Sequence, residues 1–398
     1  MKYNLFRAPA LALLQPIGMG IGAAASFLIV VLALRDQQFE SLAAYGAGVA
    51  VAAMVSALIG GGTTLAFTTG EVDRQRAVRG VRNRLVVPAV AASSVIAAAA
   101  YGLTTQLSFW ALIAGGAATL ANVASELDAS YMRRKLRTVG LFFADVLSRF
   151  AGLYLVFVGA EYAYAMLACA IIRCTFLFAL SCDDPSRKRR KRFTWMEARR
   201  AYEVKLTGLS IAYIFCDRVG AAIVPVMAPP PVAGGYVAVV GMQQNISGVL
   251  MSGIQTILAV RSEGRIDLKW TGSIEKIIMV LAAVTSAILV VGSDTFMKIL
   301  GLSVQSVPNH YWNQLVVLLP LALMSRTLDF RAIAAARQYI AVASRIAATM
   351  CVLVGASLSL ALHSVAVLGW SLVVAELVAI LTWAVTWKMD SLRKDSVE

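Results

Sequence analysis

The chain has 398 residues, 59% of them hydrophobic and 15% charged, with a net charge of +14 and a mean hydropathy of +0.74. Soluble domains are charged at about a quarter of their residues, so this composition excludes a water-soluble globular protein. The net charge alone would suit a nucleic-acid binder, but its distribution along the chain excludes that partner.

Apolar stretches of about 20 residues, long enough to cross a bilayer as helices, recur along the whole chain. They predict twelve spans, at 11–34, 41–67, 85–103, 107–127, 138–158, 162–181, 206–227, 233–260, 276–296, 312–328, 338–361 and 365–387. Alternation of the barrel type is absent, so the spans are helices and the fold is an all-α polytopic membrane protein. The opening "MKYNLFRAPALALLQPIGMGIGAAAS" has the basic start of a signal peptide. Its apolar run continues to Leu34, longer than a signal h-region, and is read as a retained first helix.

Of the 36 Lys and Arg, 30 fall at the termini or in the even-numbered loops, nine of them in 187–205. The odd-numbered loops hold only Arg35 and Lys298, and the remaining four lie inside spans. This positive-inside bias predicts both termini in the cytoplasm. The run "RKRRKRF" (187–193) reads as a topology anchor rather than a nucleic-acid or lipid-binding patch.

The basic segment 182–205 divides the chain into an N-terminal lobe, 1–181, and a C-terminal lobe, 206–398, each of six spans. Six spans per lobe give both the same orientation, a parallel repeat about an axis along the membrane normal. Tyr45 and Gly62 of span two align with Tyr236 and Gly253 of span eight, 17 residues apart in both. Gly60, Gly61 and Gly62 let helices approach closely, or let span two bend.

Charges inside spans are rare and normally face a partner or a wet cavity. Span five carries Asp145 and Arg149, spaced i to i+4 and able to pair; span six carries Arg173. Span seven carries the adjacent Asp217 and Arg218, about 100° apart around the helix, so they line one broad cavity or one pairs with a neighbouring helix. Span eleven carries Arg345, which lies close enough to the interface to snorkel. Span twelve carries Glu376, a partner for Arg345 across neighbouring helices. Glu126 and Asp128 lie near the cytoplasmic end of span four. Four deep Arg face three acids, and Arg173 and Arg345 are the least obviously neutralised. Arginine stays charged and binds phosphate in a bidentate manner, so Arg149, Arg173, Arg218 and Arg345 are candidate ligands for an anionic substrate. Asp145, Asp217 and Glu376 are candidate coupling-ion or charge-pair residues.

Enzyme signals are lacking. His310 and His363 are the only histidines, both at outer loop edges, and there is no P-loop. Cys169, Cys174, Cys182, Cys216 and Cys351 have no CxxC spacing and read as free thiols, with no metal site expected.

Three segments, 39–67, 131–160 and 206–250, carry a resemblance to the polysaccharide-flippase, Wzx-type branch of the MOP exporter superfamily. In the last, Asp217 followed by "VAGGYVAV" is similar to that branch's span-seven acid, short outer turn and Gly-Tyr opening of span eight. The resemblance implies two pseudo-symmetric six-helix lobes in a V, MATE-like, around a cationic cavity. It implies a transporter that flips an undecaprenyl-diphosphate-linked oligosaccharide to the periplasmic leaflet for O-antigen, capsule or exopolysaccharide assembly. It also implies alternating access, a polysaccharide polymerase and export machinery as partners, no cofactor, and coupling to an H+ or Na+ gradient through Asp217 or Asp145. The alternative within the fold is a drug or organic-cation antiporter, which would prefer an acidic cavity. A major-facilitator transporter is poorly matched by the loop "TTGEVDRQRAVRGVRNR" (68–84), and a glycan polymerase would bring a large outer loop that the chain lacks.

Overall fold

The structure is a computed structural model. It describes residues 7–60, 63, 78–105, 107–135, 137–182, 204–261, 309–334 and 337–395, with isolated helical positions between 280 and 298. Among the described residues there is no strand. Eleven helices run in order: α1 Arg7–Arg35, α2 Phe39–Gly60, α3 Val87–Thr104, α4 Phe109–Arg134, α5 Thr138–Phe157, α6 Tyr162–Leu180, α7 Val204–Met227, α8 Pro230–Arg261, α9 Asn309–Ala334, α10 Gln338–Leu362 and α11 Val365–Asp395. A π-turn, Arg82–Val86, leads into α3. Eight helical stretches are long and apolar enough to cross a membrane, so this is a multi-pass membrane protein.

Each helix lies on a predicted span. The exception is the predicted span at 276–296, which lies outside the described residues except at isolated helical positions. Residues 183–203, with the basic run 187–193, and Gly61 and Gly62 also lie outside them. Helices rather than extended segments form because no water is present at membrane depth to satisfy backbone N–H and C=O groups.

At the end remote from the termini the helices reverse tightly. Gln37 closes α1 with a left-handed φ of 57°, and His363 closes α10 with a φ of 48°. Gly159 closes α5 with a φ of 91°, which glycine adopts without steric cost. In each reversal a backbone N–H reaches back five residues: Gln38 to Ala33 (2.9 Å), Ala160 to Leu155 (2.9 Å) and Ser364 to Ser359 (3.1 Å).

The two halves meet reciprocally, α2 against α7 and α1 against α8. That is what a pseudo-two-fold axis between the two halves requires. Small residues set the approach: a Cβ on Gly234 would collide with the Phe39 backbone, and one on Gly46 with Val237. Within the first half, Gly48 and Gly115 bring α2 against α4, and Gly60 leaves room for Val86.

The buried apolar residues are unevenly placed along the membrane normal. At the end remote from the termini one cluster joins both halves, from Ile29, Leu42, Leu112 and Tyr162 to Val219, Tyr236, Val352 and Leu368. At the termini end the clusters are separate. Val81, Leu127, Leu141 and Leu177 belong to the first half, and Leu209, Ala332, Ile340 and Ala341 to the second. Among the described residues, the buried apolar side chains of the two halves join at the end remote from the termini and form separate clusters at the termini end. Large apolar side chains such as Ile96, Trp110, Phe157 and Leu381 are exposed, as faces against lipid must be.

Candidate functional site

The charges inside the helices are held mostly by cross-helix pairs. In the first half Arg173 of α6 donates from Nε to Asp145 Oδ1 of α5 at 2.7 Å. In the second half Arg345 of α10 is 0% exposed, with Asp329 at 1% and Glu376 at 4%. Its Nε donates to Asp329, its Nη1 to Glu376 Oε2 at 3.0 Å, and its Nη2 to the Ser325 hydroxyl at 2.7 Å. That hydroxyl donates onward to Glu376. Asp329 also accepts from Tyr213 Oη at 2.7 Å and from Ser344 Oγ at 2.8 Å. The guanidinium carbon lies 4.6 Å from the Tyr213 ring centroid, a cation–π contact. Two carboxylates thus share one guanidinium, and three hydroxyls complete their bonding. A charge can remain so deep because its hydrogen-bonding capacity is met.

Beside this cluster lies a cavity of about 300 Å3, mostly within the second half and reached by Met19 of α1. Asp217 and Arg218 of α7, Ser247 of α8, Arg326 of α9 and Glu376 of α11 line it. Arg326 is ion-paired to Asp217 and donates to Ser247 Oγ at 3.4 Å. Gln244 Nε2 donates to the Asp217 backbone carbonyl at 2.9 Å, tying α8 to α7 at the site. Arg218 is half-buried, and among the described residues it has neither an ion pair nor a hydrogen bond.

Arg149 of α5 is also half-buried and has no carboxylate partner among the described residues; its Nη1 lies 3.8 Å from Met166 Sδ. Between the two halves stands Tyr45 of α2, packed edge-on against Tyr162 with ring centroids 5.5 Å apart. Each half therefore contributes one half-buried guanidinium that has no carboxylate bond among the described residues.

Several expectations from sequence change here. Asp145 does not pair with Arg149 but with Arg173, because it lies on the buried stripe of α5 with Leu141, Ala144 and Ser148, which faces the neighbouring helices. Arg173 and Arg345 are not the unneutralised pair; both are bonded to carboxylates. Arg345 does not snorkel: it is fully enclosed and its head group is saturated by local acceptors. The expected Arg345–Glu376 contact is present. Asp217 and Arg218 both line the cavity, and Asp217 finds its partner on another helix.

Arg326, counted from sequence among loop charges, is a cavity residue, and Asp329 one turn further on is a core acid. Their i, i+3 spacing on an apolar helix, one turn before the loop, was the available signal. Arg79 and Arg82, also counted with a loop, are buried. Arg79 pairs with Asp128, which accepts from Ser181 at 2.7 Å, and Arg82 reaches Glu126 at 3.2 Å and Thr63 at 3.0 Å. Among the described residues no cluster of His, Cys, Asp and Glu suits a metal ion, and the five cysteines are free thiols.

No family model matches the chain, and no curated protein matches it in sequence. Solved structures do match in shape. The eukaryotic MATE transporter AtDTX14 is 12% identical with a TM-score of 0.57, covering 96% of this chain and 94% of its own. The MATE transporter ClbM in complex with Rb+ is 12% identical with a TM-score of 0.55, covering 96% and 95%. A multidrug-resistance MATE family transporter of the MOP superfamily, in an inward-facing conformation, is 14% identical with a TM-score of 0.53, covering 97% and 96%. The whole chain thus has the MOP fold of MATE transporters.

Proposed function

We propose that this chain is a transporter working by alternating access in a bacterial inner membrane. Its proposed substrate is an undecaprenyl-diphosphate-linked oligosaccharide, flipped to the periplasmic leaflet for surface-polysaccharide assembly. A polysaccharide polymerase and export machinery would act downstream, and the termini would lie in the cytoplasm. The observation that carries this reading is the pair Arg149 and Arg218, one half-buried guanidinium from each half, neither bonded to a carboxylate among the described residues. Five arginines, at 149, 173, 218, 326 and 345, face four acids, at 145, 217, 329 and 376, and the pairing leaves these two over. Guanidinium forks suit phosphate oxygens. Asp217, held by Arg326 at the cavity wall, and Asp145, bonded to Arg173, are the acids through which an H+ or Na+ gradient would act.

The second reading is an antiporter of small organic cations, which the acids on the cavity wall, Asp217 and Glu376, favour. Each of those acids is bonded to an arginine, so neither offers a free carboxylate to a cation.

The test is deletion of the gene and complementation with the wild-type chain or Arg218→Ala. Rescue by wild type alone, with lipid-linked glycan accumulating in the variant, supports the flippase. Unchanged surface glycan with new sensitivity to cationic dyes supports the antiporter instead.

A further inference from the structure

The cavity wall contributed by α8 is polar without being charged. Met242-Gln243-Gln244-Asn245-Ile246-Ser247 lies in the middle of a 32-residue helix, Pro230–Arg261. A primary amide at that depth is costly unless it has a partner or a wet cavity. Gln243, Gln244 and Ser247, at i, i+1 and i+4, face the cavity together. Gln244 is oriented by its bond to the Asp217 carbonyl, which leaves its Oε1 as an acceptor. Ser247 Oγ accepts from Arg326, which leaves its proton to donate. Gln243 is half-buried and, among the described residues, its amide has no hydrogen bond.

A phosphate alone would call for cations, and an organic cation would be repelled by Arg218. A row of neutral donors and acceptors beside an unpaired guanidinium fits a ligand that is anionic at one end and polyhydroxylated at the other. Binding sites span about 300 to 1,000 Å3, and at about 300 Å3 this cavity has room for one ring rather than an oligosaccharide.

We infer that Gln243, supported by Gln244 and Ser247, forms a subsite for the first sugar of the substrate. The amide donates to one ring hydroxyl and accepts from another, while the arginines hold the adjoining diphosphate. This inference rests on the flippase reading above. It explains why a cationic cavity would admit a glycosylated lipid diphosphate in preference to a bare one.

The experiment measures binding of short-chain probes to the full-length chain in detergent. The probes are farnesyl diphosphate and farnesyl-diphosphate conjugates of glucose and of N-acetylglucosamine. Wild type is expected to bind at least one conjugate about tenfold more tightly than the bare diphosphate, the scale of one or two neutral hydrogen bonds. Gln243→Leu and, as a second variant, Gln243→Ser should lose that preference and keep the affinity for bare diphosphate. Arg218→Gln should weaken every probe. Equal binding of all three probes in wild type, or a preference untouched by both Gln243 variants, overturns the subsite and leaves the flippase reading standing. Failure of every probe to bind wild type overturns both.

Discussion

Asp145 and Arg345 occupy the same place in the two halves with opposite charge. Each is seven residues past the first residue of its helix, Thr138 in α5 and Gln338 in α10. Each is bonded to the residue eleven past the start of the next helix, Arg173 after Tyr162 and Glu376 after Val365. One ion pair has thus been built twice about the pseudo-axis with its polarity reversed. The second copy adds Asp329, so Arg345 answers to two acids.

That difference predicts unequal consequences. Arg345→Ala strands two buried carboxylates and should cost about 3–5 kcal/mol. Asp145→Ala strands a guanidinium that is still 19% exposed and should cost less. Thermal melting of the purified variants checks the order. Asp145→Arg combined with Arg173→Asp should recover part of the stability lost by either reversal alone.

Arg149 and Arg218 should behave oppositely to Arg345. Neither is bonded to a carboxylate among the described residues, so Arg149→Gln and Arg218→Gln should melt within about 0.5 kcal/mol of wild type. Binding of a diphosphate probe should fall by about ten- to a hundredfold, the scale of a hydrogen bond to a charged group. Titration by calorimetry, set beside the melting curve, separates the two effects.

Asp217→Asn releases Arg326 from its partner and adds one net positive charge to the cavity wall. Affinity for a diphosphate should rise severalfold at low ionic strength, and the gain should shrink as salt is added. Transport in vesicles under an imposed ion gradient should drop if Asp217 carries the coupling ion.

An ideal Cβ on Gly46 lies 3.3 Å from the Val237 Cβ, close to disulfide geometry. In a background without the native cysteines, Gly46→Cys with Val237→Cys should cross-link α2 to α8 under mild oxidation. Surface glycan should then be lost and should return on reduction, because the two lobes can no longer part at that end.

The placement of helices was legible in the sequence, because a spanning segment announces itself by length and hydropathy. Partners were not. Hydropathy says that Arg326 is near a basic loop, with Arg331 and Arg337 following; it does not say that Arg326 faces Asp217 109 residues earlier in the chain. Arg79 and Arg82 were hidden among loop arginines for the same reason, their acids lying on α4. Gln243 and Gln244 give no signal in a charge count because an amide is neutral, although at that depth it needs a partner as a charge does. Asp217 and Arg218 were legible because two charges in an apolar run have no neutral explanation.

The single apolar cluster that fuses the lobes far from the termini has a consequence for the order of events. Exposing the opposite side means separating Ile29, Leu42, Tyr236 and Leu368 from their neighbours, while the termini side already stands apart. Inverting a strongly one-sided population, from 1:99 to 99:1, takes about 5.5 kcal/mol of differential affinity. The structure is closed on the side remote from the termini. On the transporter reading proposed above, a reagent on the far side meets this apolar layer until cargo entering from the termini side has turned the molecule, and the empty protein acts as a valve against leakage.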